Sequence, residues 1–142
     1  MTRNPGIDLD IALPPQTRYL GLIGAIAEQL GRGLPDYTGD RDILAYDLNL
    51  VLTEALVNAI QHAGDEQGQQ AVRVSIHLED RDLRIQVMDQ GCGFDLSQTP
   101  PLDPGGLCES GRGLFFIRSL MDSVCYRKTE QGNVLDMCKH LD

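Results

Sequence analysis

Two short runs of alternating apolar and polar residues stand back to back in the middle of the chain. Val72, Val74, Ile76 and Leu78 alternate with Arg73, Ser75, His77 and Glu79, and Leu83, Ile85 and Val87 alternate with Arg84 and Gln86. Side chains on a strand point to opposite faces in turn, so each run has one apolar face to bury. Only Asp80-Arg81-Asp82 lies between them, which predicts an antiparallel hairpin.

The flanking segments supply what covers it. Ile7, Leu9, Ile11 and Leu13 alternate with Asp8 and Asp10, a half-buried strand ended by Pro14-Pro15. Thr17 is placed to N-cap a helix running to about Gly31, with the stripe Leu20, Ile23, Ala27 and Leu30. Gly31-Arg32-Gly33-Leu34-Pro35 breaks the chain. A second helix is predicted from near Asp40 to about His62, with a core stripe of Leu44, Leu48, Val51, Leu52, Ala55 and Ala59. Gly64 stops it and opens a polar loop.

After Asp89 the pattern dissolves into Gly91-Cys92-Gly93 and a segment rich in proline and glycine, the composition of a lid or binding loop. Gly111-Arg112-Gly113 leads into a third helix, roughly Leu114 to Met121. Two last strands, about Ser123 to Lys128 and Asn133 to Lys139, meet at a turn on Gly132. This order predicts one α+β domain over residues 1–142: a two-layer sandwich whose mostly antiparallel mixed sheet carries helices on one face.

Composition narrows the function. The charge is 12 − 21, or −9, which disfavours binding to the phosphate backbone of nucleic acids and, through a basic face, to membranes. The sequence has no apolar run near the roughly 20 residues of a membrane helix and no signal-peptide pattern at Met1–Gly6, so the expected address is cytoplasmic. Cys92, Cys108, Cys125 and Cys138 form no CxxC pair and read as reduced thiols.

Three constellations carry chemistry. Glu54, Asn58 and His62 stand four apart along one side of the second helix. An amide oxygen there suits Mg²⁺, and a carboxylate one turn away suits a general base or the positioning of a nucleophile; a solvated polar helix edge accounts for them equally well. His62 taken singly is a capping or packing histidine. Asp89-Gln90-Gly91-Cys92-Gly93-Phe94 follows a strand, where Asp89 can accept from an exocyclic amine and the glycines let a flat ring approach; an ordinary glycine-rich turn is the simpler alternative. Glu109-Ser110-Gly111-Arg112-Gly113-Leu114 opens a helix whose free N–H groups can cradle phosphates, with Arg112 either adding charge or lying on the surface. The spacing is not that of a P-loop, and Gly91-Cys92-Gly93 opens no helix, against a dinucleotide fold.

In this order the three constellations resemble the N, G1 and G2 boxes of the GHKL (Bergerat-fold) ATPase superfamily, and within it the anti-sigma-factor serine/threonine kinases, over nearly the whole chain. The resemblance implies ATP and Mg²⁺ as ligands. Asn58 would bind the metal, and Glu54 would act as general base or positioner. Asp89 would read the adenine amino group, with Gly91 and Gly93 shaping the pocket. Gly111, Arg112, Gly113 and Leu114 would line the phosphates under a lid at about 95–110. It also implies a STAS-domain anti-anti-sigma protein as phosphoacceptor, a sigma factor as a further partner, and a homodimer. Asn133 departs from the threonine common at that place, which touches only a minor nucleotide contact. Two rivals remain: a non-catalytic, nucleotide-gated module that binds a regulator, and a stand-alone histidine-kinase-like ATPase domain, for which no histidine-bearing hairpin precedes the domain.

Overall fold

A computed structural model describes residues 6–34, 37–63, 71–89, 109–129 and 132–141, with the backbone alone at 62–63 and 109–114. Gly64, Gly91, Cys92, Gly93, Cys108 and the lid at about 95–110 up to residue 108 lie outside the described residues.

The elements run β1 (Ile7–Leu13), α1 (Leu20–Gly33), α2 (Arg41–Ala63), β2 (Val72–Glu79), β3 (Asp82–Asp89), α3 (Glu109–Leu120), β4 (Ser123–Thr129) and β5 (Gly132–His140). The strands form one sheet in the order β1-β2-β3-β5-β4. Every pairing is antiparallel, so the sheet among the described residues is not mixed. The α3 crossover delivers β4 to the edge, and the β4–β5 hairpin folds β5 back against β3.

The register turns the alternation into a packing surface. One inner row crosses all five strands as Leu9, Ile76, Ile85, Met137 and Val124; the next is Ile11, Val74, Val87, Leu135 and Tyr126. Leu44, Leu48, Val51, Leu52, Ala55, Leu56 and Ala59 of α2 are buried in the same core cluster as the central strand residues of these rows. Each large apolar side chain so buried contributes about 1.5–3 kcal/mol. The outer face is polar: Asp136 accepts from Gln86 at 3.3 Å and pairs with Arg84 at 3.6 Å and Arg127 at 3.7 Å. Such exposed pairs add little stability.

Local chemistry fixes the ends. Asp40 caps α2, its Oδ1 accepting from the N–H groups of Asp42 at 3.0 Å and Ile43 at 3.2 Å. Arg41 reaches back to the end of α1, where its Nη1 donates to the carbonyls of Arg32 at 2.8 Å and Leu34 at 2.7 Å. Asp80, at φ 56°, makes the β2–β3 turn with Arg81, while Asp82 already belongs to β3. Gly132 turns β4 into β5 at φ 133°.

Three sequence expectations are corrected. Thr17 is not an N-cap: it begins a 3-10 turn, Thr17–Tyr19, and neither this turn nor α1 has a side-chain cap. The tight turn after Pro15 uses the residues that would have been the first turn of α1. α3 starts at Glu109, five residues ahead of Leu114, so Gly111 and Gly113 lie inside it. The burial of Ile117 in the common core outweighs the roughly 1 kcal/mol that each helical glycine costs. Finally, residues Arg41–Gln61 of α2 are long and apolar enough to span a membrane, with mean hydropathy 1.4, although half of that stretch is buried within the domain. α2 is apolar on a second side as well as along its inner stripe.

Two consequences are testable. A Cβ at Gly31 would stand 2.8 Å from Ala45 Cα, a backbone atom, whereas one at Gly21 would meet nothing within 4 Å. Gly31→Ala therefore lowers the unfolding free energy in urea by about 1–3 kcal/mol by forcing α1 off α2, and Gly21→Ala raises it by about 0.5–1 kcal/mol. On the outer face, burial first, then Asp82, pushes the Cys138 thiol up, Arg84 opposing. Thiolate is the reactive form, so peptide mapping after iodoacetamide at pH 8 should find exposed Cys125 labelled well ahead of Cys138, the gap closing as pH rises.

Candidate functional site

The two central inner rows of the sheet are apolar, and the row beyond Val87 and Leu135 is not. Two residues beyond Val87 and two before Leu135, the same face carries Asp89 and Asn133, directly paired in register. Both are buried, at 5 % and 3 % exposure, and Asn133 Nδ2 donates to Asp89 Oδ1 at 2.9 Å. The third buried polar side chain among the described residues is Asn58 of α2, at 4 %, whose Nδ2 has no hydrogen-bond partner. An unsatisfied buried amide costs about 1–3 kcal/mol, and a native fold retains one where a ligand or water completes it.

Connectivity brings these groups to one end of the domain. Arg73 pairs with Met88, so the start of β2 and the end of β3 coincide. α2 ends at Ala63, and only residues 64–71 lead from it to β2. At the opposite end of the sheet, Lys139 Nζ donates to the carbonyl of Leu120 at 2.8 Å, which ties the last turn of α3 to the end of β5. The first turn of α3, about 18 Å away along the helix, therefore faces the end that holds Asp89 and Asn133. Glu109 to Gly111 are its first three residues, and their N–H groups have no partner inside the helix. Gly113 lies one turn in, with its N–H committed to the helix, so it does not belong to the free amides.

Glu54 sits one turn before Asn58 and is half-buried. The backbones of Gly111, Arg112, Gly113 and Leu114 lie in α3, their side chains outside the described residues. Asp89 and the α3 start thus lie towards the end of the fold at which α2 finishes, with Asn58 and then Glu54 set further back along that helix. Asn133, noted in the sequence only as a departure from a common threonine, is the direct partner of Asp89. Its strand position two before Leu135 on the buried face was the available signal.

The donor set suits a nucleotide with a hard cation: carboxamide and carboxylate oxygens for the cation, a buried carboxylate for an exocyclic amine, and a helix N-terminus for phosphates. No cluster of three metal-ligating His, Cys, Asp or Glu side chains exists among the described residues, so a metal here would take few protein ligands and rely on water and phosphate oxygens. A separate cleft of about 290 Å³, lined by Tyr37, Thr38, Gly39, Lys139, His140 and Leu141, lies at the far end of β5 and shares none of these residues.

Known proteins are similar to this chain in sequence and in fold. The histidine kinase-like ATPase domain profile matches residues 13–139. A serine-protein kinase RsbW of Halalkalibacterium halodurans is 34 % identical, the alignment covering 94 % of this chain and 83 % of that protein. The RsbW of Bacillus subtilis is 32 % identical over 94 % of this chain and 86 % of its own length. Among solved structures, the RsbU and RsbW domains of a Mycobacterium tuberculosis protein superpose with TM-score 0.67 at 18 % identity, covering 98 % of this chain, which spans 34 % of that polypeptide. The histidine kinase domain of a blue-light activated kinase of Erythrobacter litoralis superposes with TM-score 0.57 at 22 % identity, covering 90 % of this chain and 61 % of that one. Profile and identities together make this chain a member of the histidine kinase-like ATPase domain family, among the RsbW serine-protein kinases.

Proposed function

We propose that this protein serine kinase phosphorylates a serine or threonine of a STAS-domain anti-anti-sigma protein and binds a sigma factor in a cytoplasmic partner-switching circuit, acting as a homodimer. The observation that carries the reading is the group of buried polar side chains at one end of the apolar interface. Among the described residues, Asp89, its partner Asn133 and the unpaired Nδ2 of Asn58 make a buried polar group that a nucleotide would complete. The names of the RsbW relatives supply the reaction class.

Within this reading each residue has a task. Asp89, held by Asn133, accepts from the amino group of adenine, with Gly91 and Gly93 shaping the pocket. The side chain of Asn58 holds Mg²⁺, and Arg112, Leu114 and the amides at the start of α3 surround the phosphates. Bound Mg²⁺ supplies charge neutralisation on the phosphate oxygens. Glu54 orients the acceptor hydroxyl and takes its proton as the oxygen attacks the γ-phosphorus, with ADP as the leaving group. Phosphoryl transfer asks mainly for positioning and charge, which a rigid helix bearing Glu54 and Asn58 one turn apart can supply.

The test is to incubate the chain with Mg-ATP and STAS-domain proteins and to search the acceptor for phosphoserine or phosphothreonine by mass spectrometry. No transfer to any acceptor, or no uptake of ATP or ADP by calorimetry with magnesium present, overturns the reading. Glu54→Gln is expected to slow transfer by about 10²-fold or more while the Kd for Mg-ATP changes little. Asn58→Leu separates binding from folding. It removes the unpaired buried amide, so the urea-unfolding free energy holds or rises by up to about 1–3 kcal/mol, while magnesium-dependent nucleotide binding is lost.

A further inference from the structure

α2 carries a second apolar stripe, directed away from the core. Ile43, Leu50 and Val57 recur every seven residues, which keeps them on one side of a helix, and Tyr46 lies beside them. Ile43 is 59 % and Tyr46 69 % exposed; Leu50 and Val57 are half-buried. The inner stripe through Leu44, Leu48, Val51 and Ala55 occupies the other side and is fully buried. Glu54 is four residues after Leu50 and three before Val57, so it belongs to the outer stripe and not to the inner one.

We infer that this stripe, Ile43–Tyr46–Leu50–Val57, is the docking track for the phosphoacceptor protein, which lies along α2 with its acceptor hydroxyl at Glu54. The inference rests on the kinase reading above. A protein acceptor must cover Glu54 to present its hydroxyl there, and the side chains next to Glu54 along the exposed side of α2 are those of the stripe. Tyr46 lies about 12 Å from Glu54 along the helix axis, and Ile43 about 16 Å. One standard interface of about 800 Å² per partner reaches across that span.

Charge selects among occupants. Asp47 and Glu54, seven residues apart, stand on one side of the helix beside the stripe in a chain of charge −9, whereas Asp42 pairs with Arg32 of α1 at 3.4 Å. In a two-fold pairing of α2 with a second copy, these carboxylates would meet their own counterparts. Anionic lipid headgroups would repel them in the same way. The surface they fit is an apolar patch flanked by Lys or Arg on a different protein, set about 12–16 Å from the phosphorylated residue.

The test uses Tyr46→Ala and Ile43→Ser, both at exposed positions, with Cys125→Ser on the opposite, outer face of the sheet as control. Two quantities are read: the KM for the STAS-domain acceptor in steady-state phosphotransfer, and the calorimetric Kd for the same acceptor with its phosphorylated serine replaced by alanine. Tyr46→Ala is expected to raise both by about tenfold or more, and Ile43→Ser by severalfold, with kcat and the Kd for Mg-ATP nearly unchanged. Cys125→Ser should change neither. Unchanged acceptor KM and Kd in both α2 variants overturn the inference while leaving the kinase intact. A shift in sedimentation mass, or loss of binding to phosphatidylserine vesicles, in place of the KM effect overturns it in favour of a second copy or a membrane. If the wild-type chain transfers no phosphate, the kinase reading fails on that result alone. The calorimetric Kd then still decides whether the stripe binds the STAS-domain protein.

Discussion

The seating of α2 on the sheet is the interaction on which the rest depends. Its inner stripe and the central residues of two inner rows of the sheet share one apolar core, and every other helix is placed relative to it. α1 closes on α2 where Gly31 leaves room for the backbone of Ala45, where Arg41 reaches the end of α1, and where Glu28 accepts from Asn49 within the two helices. α3 buries Ile117 in the same core. Once the inner side chains are locked, the rotation and axial position of α2 are set, and with them the directions in which Asn58 and Glu54 point. Packing is unforgiving on this scale, since a shift of one residue would turn the inner stripe off the sheet.

The same sheet face then stops being apolar. Placing Asp89 and Asn133 in the third inner row, which Leu13 and Val72 begin, gives up stability that apolar residues would have supplied at those two positions. The two residues satisfy each other in part through the 2.9 Å hydrogen bond, which also fixes the direction of the Asp89 carboxylate. A carboxylate held in one orientation before its ligand arrives pays less to bind it than one that must be ordered at that moment. Asn133 thus does more than a nearby polar residue would: it orients the carboxylate proposed above to read the base.

Much of this was legible in the sequence, and the exceptions share a cause. The β2–β3 hairpin followed from strict alternation bounded by Asp80-Arg81, and the inner stripe of α2 from helical spacing after Asp40, because in both the local pattern and the tertiary burial agree. The starts of α1 and α3 were missed because capping residues and glycines are local signals. The turn after Pro15 and the burial of Ile117 overrode them. Glu54, Asn58 and Asp89 could be picked out by spacing, yet the burial that distinguishes Asn58 and Asp89 from surface polar residues depends on strands and helices distant in sequence. The Asn133–Asp89 contact spans 44 residues and needed the register of β3 against β5. The outer stripe of α2 escaped notice for another reason. A helix read for one apolar face hides a second, and half of the apolar stretch Arg41–Gln61 is left unburied by the domain.

One helix therefore serves three neighbours at once. Its inner side holds the sheet, its edge carries the buried Asn58 proposed to meet the nucleotide, and its outer side offers an apolar track that passes Glu54. Because a packed helix is rigid over this length, the spacing between the track and Glu54 is a fixed distance, not an adjustable one. A kinase that recognises its acceptor this way selects for the geometry of a folded surface: an apolar patch at the correct distance from a hydroxyl. It has little need to read the residues on either side of that hydroxyl. Specificity then resides in the shape of the partner as a whole, and a short peptide carrying the phosphorylated serine lacks most of what α2 recognises.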